Sequence, residues 1–192
     1  MRYAGNIALR VLATCAAAVA ACASQPRDDG GHARSPLHGA PGSIAVIVFG
    51  ATDCPIANAY APELERIWHR CAELGIDMTY VYPANDVTDD VATAHARDYH
   101  LTMPRALDPS HAIVRSIGAT VTPEAAVVRF ADDDRFEVLY LGRIDDWYAG
   151  VGKRRIAASK HDLVDAIEAA RAGQAPSPAR TEAFGCFIER TP

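Results

Sequence analysis

Cys54 stands where a thiol can do chemistry. It sits in the run Phe49-Gly50-Ala51-Thr52-Asp53-Cys54-Pro55, between an apolar stretch and a helix start. The apolar stretch, Ile44–Phe49, reads as a buried strand. Pro55 opens a helix. Unpaired N–H groups and the positive end of the helix dipole favour a thiolate at that point, and the thiolate is the nucleophile. Asp53 pulls the other way, because a neighbouring carboxylate raises a thiol pKa unless its side chain caps the helix. The chemistry on offer is attack on a disulfide or a peroxide, and it calls for an exposed sulfur. The competing reading is a small buried residue at a helix start.

The chain has five cysteines among 192 residues, and they fall into different roles. Cys15 lies in an apolar run, Val11–Ala21, that follows Arg2 and Arg10. Its roughly eleven residues are too few to span a bilayer and suit a signal-peptide core. Val19-Ala20-Ala21-Cys22 resembles the lipobox of bacterial lipoproteins, which makes Cys22 a lipid anchor after cleavage; cleavage without lipid is the alternative. Ala23, rather than Asp, follows it, which by the same resemblance points to the outer membrane. Cys54, Cys71 and Cys186 remain in an exported domain, in an oxidising compartment where disulfides persist. About 17 helical residues at 1.5 Å each hold Cys71 roughly 25 Å from Cys54, well beyond the 7 Å or so that a disulfide spans. Cys71 is therefore structural. Cys186 is the internal partner left for Cys54; a free or intermolecular thiol in an apolar patch with Phe184, Phe187 and Ile188 is the alternative.

The elements that must position these groups follow from periodicity. Residues 1–22 read as signal peptide and lipobox, residues 23–43 as a Gly/Pro-rich tether, and 44–192 as one folded domain. The first helix is expected over Pro55–Leu74, with Ile56, Tyr60, Leu64, Ile67 and Cys71 on one face. A strand at Met78–Tyr82 follows, then a helix from Val87 to Tyr99, a connecting stretch at Met103–Leu107, and a short helix at His111–Ile117. Ala125–Phe130 and Phe136–Gly142 form a hairpin. Ser159 and Asp162 make a capping box for a last helix. Crossover helices pair the early strands in parallel and the hairpin adds antiparallel ones. The expected class is α/β, a mixed central sheet with helices on both faces.

This order, with a cysteine after the first strand and Pro123 just before the hairpin, resembles the thioredoxin-like fold. The stretches Thr52–Glu63, Gly118–Glu124, Gly142–Asp146 and Gly185–Ile188 resemble redoxins of the alkyl hydroperoxide reductase/thiol-specific antioxidant superfamily, in an exported bacterial branch. The resemblance implies that Cys54 and Cys186 are catalytic. It implies that Thr52, Pro55, Thr122 and Pro123 shape the substrate site. Pro123 would be the cis-proline facing the cysteine, and Thr122 would offer its backbone to an extended thiol substrate as an added strand. Three departures matter. Ala57 replaces the second cysteine of a Cys-x-x-Cys motif. Ala51 and Ile47 replace the Thr and Pro of a peroxiredoxin. Phe49–Pro55 matches the copper-delivering Sco proteins, but Asn58 stands in place of their second cysteine.

The reading is therefore an envelope thiol–disulfide oxidoreductase with Cys54 as its motif cysteine, resolved by Cys186 or an external thiol. It needs no cofactor. Its partners are a thiol or disulfide protein or a peroxide, and a membrane reached through the lipid. A Sco-like module holding copper, a thiol peroxidase and a non-catalytic lipoprotein are the alternatives. His100 and His111 are the histidines in reach of a metal or proton role, although each suits a surface or cap position. Asp145 and Asp146 read as a solvated turn, and Trp147 and Tyr148 as either site cover or packing. The net charge of −5 and the single basic triplet Lys153–Arg155 argue against nucleic acid.

Overall fold

The computed structural model describes residues 35–132, 135–150 and 152–189. The signal peptide, the Cys22 lipobox and the first part of the tether lie outside the described residues. Residues 36–43, read as the end of the tether, lie against the domain: Gly42 N–H donates to the Phe130 carbonyl at 2.8 Å, and Leu37 packs on the core.

A five-stranded sheet organises the chain. β1 (Ile44–Phe49) lies at its centre, β2 (Asp77–Tyr82) and β3 (Arg105–Leu107) run parallel to it on one side, and on the other β5 (Glu124–Phe130) runs antiparallel to β1 and β6 (Phe136–Gly142) antiparallel to β5, in the order β3-β2-β1-β5-β6. β1 is apolar at every position because both faces are covered. Val46 and Val48 pack with α2 (Ala61–Glu73), α3 (Asp89–Asp98) and α5 (Asp162–Arg171). Ala45, Ile47 and Phe49 point the other way, onto Ile113, Val114 and Ile117 of α4 (Ala112–Ile117). Two layers of helix on a mixed sheet is the architecture expected from the strand and helix order.

Four local expectations need correction. The long first helix is two: α1 (Pro55–Ala59) ends at Tyr60 and α2 begins at Ala61. Pro62 is the cause, because it has no N–H for the Asn58 carbonyl and its ring crowds that carbonyl. The stretch 103–107 contains the edge strand β3, too short at three residues to show alternation. The Ser159–Asp162 capping box does not form. Ser159 N–H and Oγ–H donate to Asp146 at 2.6 and 2.7 Å, Asp162 pairs with Arg143 at 2.8 Å, and His161 takes the cap position.

The pair Asp145 and Asp146 is not a solvated turn, since each is 5% exposed. Asp146 also accepts from Lys160 N–H at 2.9 Å, and these donors, Ser159 first, hold its carboxyl well below the usual range. Asp145 accepts from Tyr60 O–H at 2.5 Å and Trp147 N–H at 2.8 Å. That pins Trp147 and Tyr148 onto Tyr60, with ring centroids 5.5 and 5.7 Å away. Both aromatics pack on Tyr60; Tyr148 also lines a small recess with Pro123 and opens β7 (Tyr148–Gly150), which pairs with β8 (Lys153–Arg154).

Candidate active site

The sheet register builds the site. Phe49, the last residue of β1, pairs with Glu124, the first of β5. The loop after β1 and the segment before β5 must then lie side by side, which sets Cys54 next to β4 (Val121–Thr122) and Pro123. Gly50 begins the first loop because the Tyr80 ring fills the space a β-carbon would need. The buried Glu124 carboxylate holds the second, accepting from Thr120 N–H at 2.7 Å and Val121 N–H at 3.4 Å. The Thr122–Pro123 peptide is cis, as the resemblance implied.

Cys54 is the residue before α1, and its thiol donates to the Thr122 carbonyl at 3.0 Å. The second strand at this spot comes from the far end of the chain. β9 (Cys186–Phe187) pairs antiparallel with β4, matching Thr122 with Cys186 and Val121 with Phe187. Ile188 N–H extends the ladder to the Thr120 carbonyl at 3.0 Å. Cys54 and Cys186, 132 positions apart, are thereby brought to one place as two free thiols, the first bonded to Thr122 and the second paired opposite it.

Cys54 has no accessible surface. This corrects the expectation of an exposed sulfur. Thr122 of β4 lies against the sulfur, and β9, paired with β4, runs beside it and is itself exposed. Burial opposes ionisation of Cys54. The thiol and backbone N–H of Cys186, the Ala57 N–H and the Thr122 side chain favour it, and together they outweigh burial and leave the thiol below the ordinary cysteine value. Cys186 moves in the opposite direction, pushed up to about 11 by burial of its thiol, by donation to Cys54 and by the charges of Cys54 and Asp53. The charge of Asp53 bears on Cys186, and Cys54 is lowered on balance although Asp53 forms no helix cap. Of the pair, Cys54 loses its proton first. Cys71 sits in the main core, where burial raises it to about 11.

Thr52 and Pro55 flank the sulfur along the chain, Thr52 half-buried and Pro55 exposed. Thr52 is held by a relay the sequence reading missed. Its carbonyl accepts from Asn58 Nδ2 at 3.0 Å, Asn58 Oδ1 meets His95 Nε2 at 2.9 Å, and His95 Nδ1 meets Tyr82 O–H at 2.8 Å. A carbonyl only accepts, so Asn58 turns its NH₂ to Thr52 and its oxygen to His95; His95 must then carry its proton on Nε2 and accept from Tyr82. Burial lowers the His95 pKa and keeps the ring neutral. Asn58 is the residue that stands in place of a second cysteine, and here it anchors the loop. Asn58→Ala should cost about 1–3 kcal/mol in stability and slow Cys54 exchange by about tenfold through a looser loop. Denaturant unfolding and stopped-flow rates with a small disulfide check this; an unaltered rate removes the positioning role.

His111 is buried and directed at the Pro83 carbonyl, 2.7 Å away. His100 ends the α3 turn with φ 56°. Neither joins the sulfurs. Among the described residues, the one grouping of three metal-capable side chains is Glu63, Asp145 and His161, without either cysteine. Both Glu63 oxygens already face Arg66.

A model of the Redoxin family matches residues 30–142. No curated protein matches the chain. An uncharacterized conserved protein from Geobacillus kaustophilus superposes with a TM-score of 0.66 at 17% identity, covering 79% of each chain. A hypothetical protein from Sinorhizobium meliloti gives 0.64 at 21% identity over 78% of this chain and 81% of that one. A thiol-disulfide oxidoreductase from Bacteroides fragilis gives 0.44 at 12% identity over 53% and 72%. At such identities the first two structures speak to the fold alone.

Proposed function

Because the chain belongs to the Redoxin family, we propose that this thioredoxin-like domain carries out thiol–disulfide exchange, with Cys54 as nucleophile and Cys186 as resolving thiol. One observation carries the reading. The Cys54 sulfur, its pKa lowered, lies 3.0 Å from the Thr122 carbonyl beside cis-Pro123, and the strand partner of Thr122 is Cys186. In the first step the Cys54 thiolate attacks one sulfur of a partner disulfide, and the partner's other sulfur leaves as a thiolate. In the second, Cys186 loses its proton and attacks the Cys54 sulfur, which frees the partner as a dithiol and leaves a Cys54–Cys186 disulfide. The high pKa of Cys186 suits a thiol that acts second, once the Cys54 charge beside it has gone. Exchange between sulfurs needs no organic cofactor.

The domain is exported and held to the envelope by lipid on Cys22, with residues 1–22 removed or modified and residues from 23 onward leading to the fold. The apolar run 11–21 followed by Cys22 supports this. Palmitate labelling that is lost in Cys22→Ala checks it, and equal labelling of the variant refutes it. The exchange reading is tested by mixing reduced protein with 2-hydroxyethyl disulfide and mapping disulfides by mass spectrometry after blocking free thiols. A Cys54–Cys186 linked peptide is expected. A product with Cys54 unmodified and both thiols blocked overturns the reading.

A further inference from the structure

The backbone edge at Thr122, where an extended thiol substrate would add as a strand, is already occupied by the chain's own tail. The tail puts a cysteine opposite Thr122, a glycine before it and an apolar residue after it, and Cys54 lies beneath with no accessible surface. A buried nucleophile covered by a two-residue strand is reached by displacing that strand. Such a strand comes away at small cost, because a two-residue ladder with an exposed face, extended only by the Ile188 N–H bond and the Ile188 contact with the core, lies at the low-stability end of a fold. Phe187 is 85% exposed, so its ring adds little to holding the strand down.

The contact also sets what fits. A β-carbon built on Gly185 would overlap the Thr122 carbonyl oxygen, so the residue just before the cysteine must be glycine for the strand to close on this edge. Beyond the cysteine, Val114, Arg115, Ala119 and Thr120 line a cavity of about 520 Å³ alongside Phe187 and Ile188. The tail leaves that space open, and a partner's larger side chains have room there.

Resting on the exchange reading above, we propose that residues 185–188 are an internal stand-in for the partner. The partner segment that displaces them is an extended protein strand with glycine directly before its disulfide-bonded cysteine and apolar residues after it. With the tail displaced, the Cys54 thiolate attacks the partner's cysteine sulfur. A Cys54–partner S–S bond forms as the partner's S–S bond breaks, and the departing sulfur takes a proton from water. When the tail returns to the edge, Cys186 gives up its proton to water and attacks Cys54. The partner's cysteine leaves as a thiol, the partner has gained two electrons, and the Cys54–Cys186 pair has lost two.

The probe is the peptide Phe-Gly-Cys-Phe-Ile, blocked at both ends, with its cysteine in a mixed disulfide with thionitrobenzoate. It is compared with the same peptide carrying valine in place of glycine. Both are reacted with the full chain carrying Cys186→Ala, with and without Gly185→Val, which forces the tail off Thr122. The glycine peptide should react about tenfold faster once the tethered competitor is dislodged, and the valine peptide should not share that gain. Equal rates for the two peptides, or no gain from Gly185→Val, overturn the proposal. Should Gly185→Val disturb folding, the unaltered chain decides. An excess of the peptide with serine in place of cysteine should speed hydrogen exchange at the 186–188 amides and leave β1 and β5 protected; unchanged tail exchange overturns the proposal. Reaction with 2-hydroxyethyl disulfide separates the two ideas. If Cys54 never exchanges with it, the function reading fails. If it does and the peptides show no preference, only the tail inference falls.

Discussion

Replacing Cys54 with serine should lower disulfide exchange at least about a thousandfold, because a hydroxyl is scarcely ionised near neutral pH and makes no stable bond to sulfur. The fold should survive. Serine is close in size to cysteine, and its hydroxyl can donate to the Thr122 carbonyl that now accepts from the thiol. The stability change should therefore stay within about 1 kcal/mol. Initial rates with 2-hydroxyethyl disulfide, measured beside a denaturant curve, separate lost chemistry from lost structure. Retention of more than a small fraction of the rate in a folded Cys54→Ser protein would move the activity to another residue. Cys71 is a poor candidate, since it is buried in the core and pushed up to about 11.

Cys186→Ala should act in two ways, and both follow from the paired thiols. Without an internal resolver, a mixed disulfide between Cys54 and its partner should persist about a hundredfold longer, since an external thiol at ordinary concentration replaces one held at high effective concentration. The variant also loses the Cys186 thiol as donor to the Cys54 thiolate, although the backbone N–H groups of Cys186 and Ala57 remain. The Cys54 pKa should rise. The sign is definite: exchange rate increases with pH as thiolate forms, so the variant's pH–rate curve moves to higher pH and its rate near neutrality falls. Trapping the mixed disulfide by acid quench and recording the pH profile read the two effects separately. A mixed disulfide that clears as fast as in the unaltered chain would show that Cys186 is not the resolver. An unmoved profile would show that its thiol does not support the Cys54 charge.

The relay Thr52–Asn58–His95–Tyr82 and the tail strand play complementary parts. The relay holds the Cys54 loop from inside through a neutral histidine and two fixed partners. The tail closes it from outside through a short, exposed ladder. A rigid base under a removable cover suits a thiol that must be positioned, shielded and then reached.

Much of this was legible in the chain because it depends on neighbours in sequence. The apolar run Ile44–Phe49, the hairpin at 125–142 and the order of strands and helices follow from local periodicity and turn chemistry. The cysteine after the first strand and the proline before the hairpin could be picked out as facing partners because the family pattern places them so. Other features depend on partners chosen across space. Asn58 meets His95 over 37 positions, Tyr60 meets Asp145 over 85, and Thr122 meets the Cys186 segment over 64. Nothing in their local spacing marks them. Ser159 shows the same limit from the other side: its local pattern offered a cap, and a distant carboxylate, Asp146, took the hydroxyl instead. Sequence alone therefore determined which thiol stands after the first strand and the βα frame that carries it. Only the tertiary structure decided that this atom is covered, by which segment, and with which donors, because those depend on the Phe49–Glu124 register and on where the tail comes to rest.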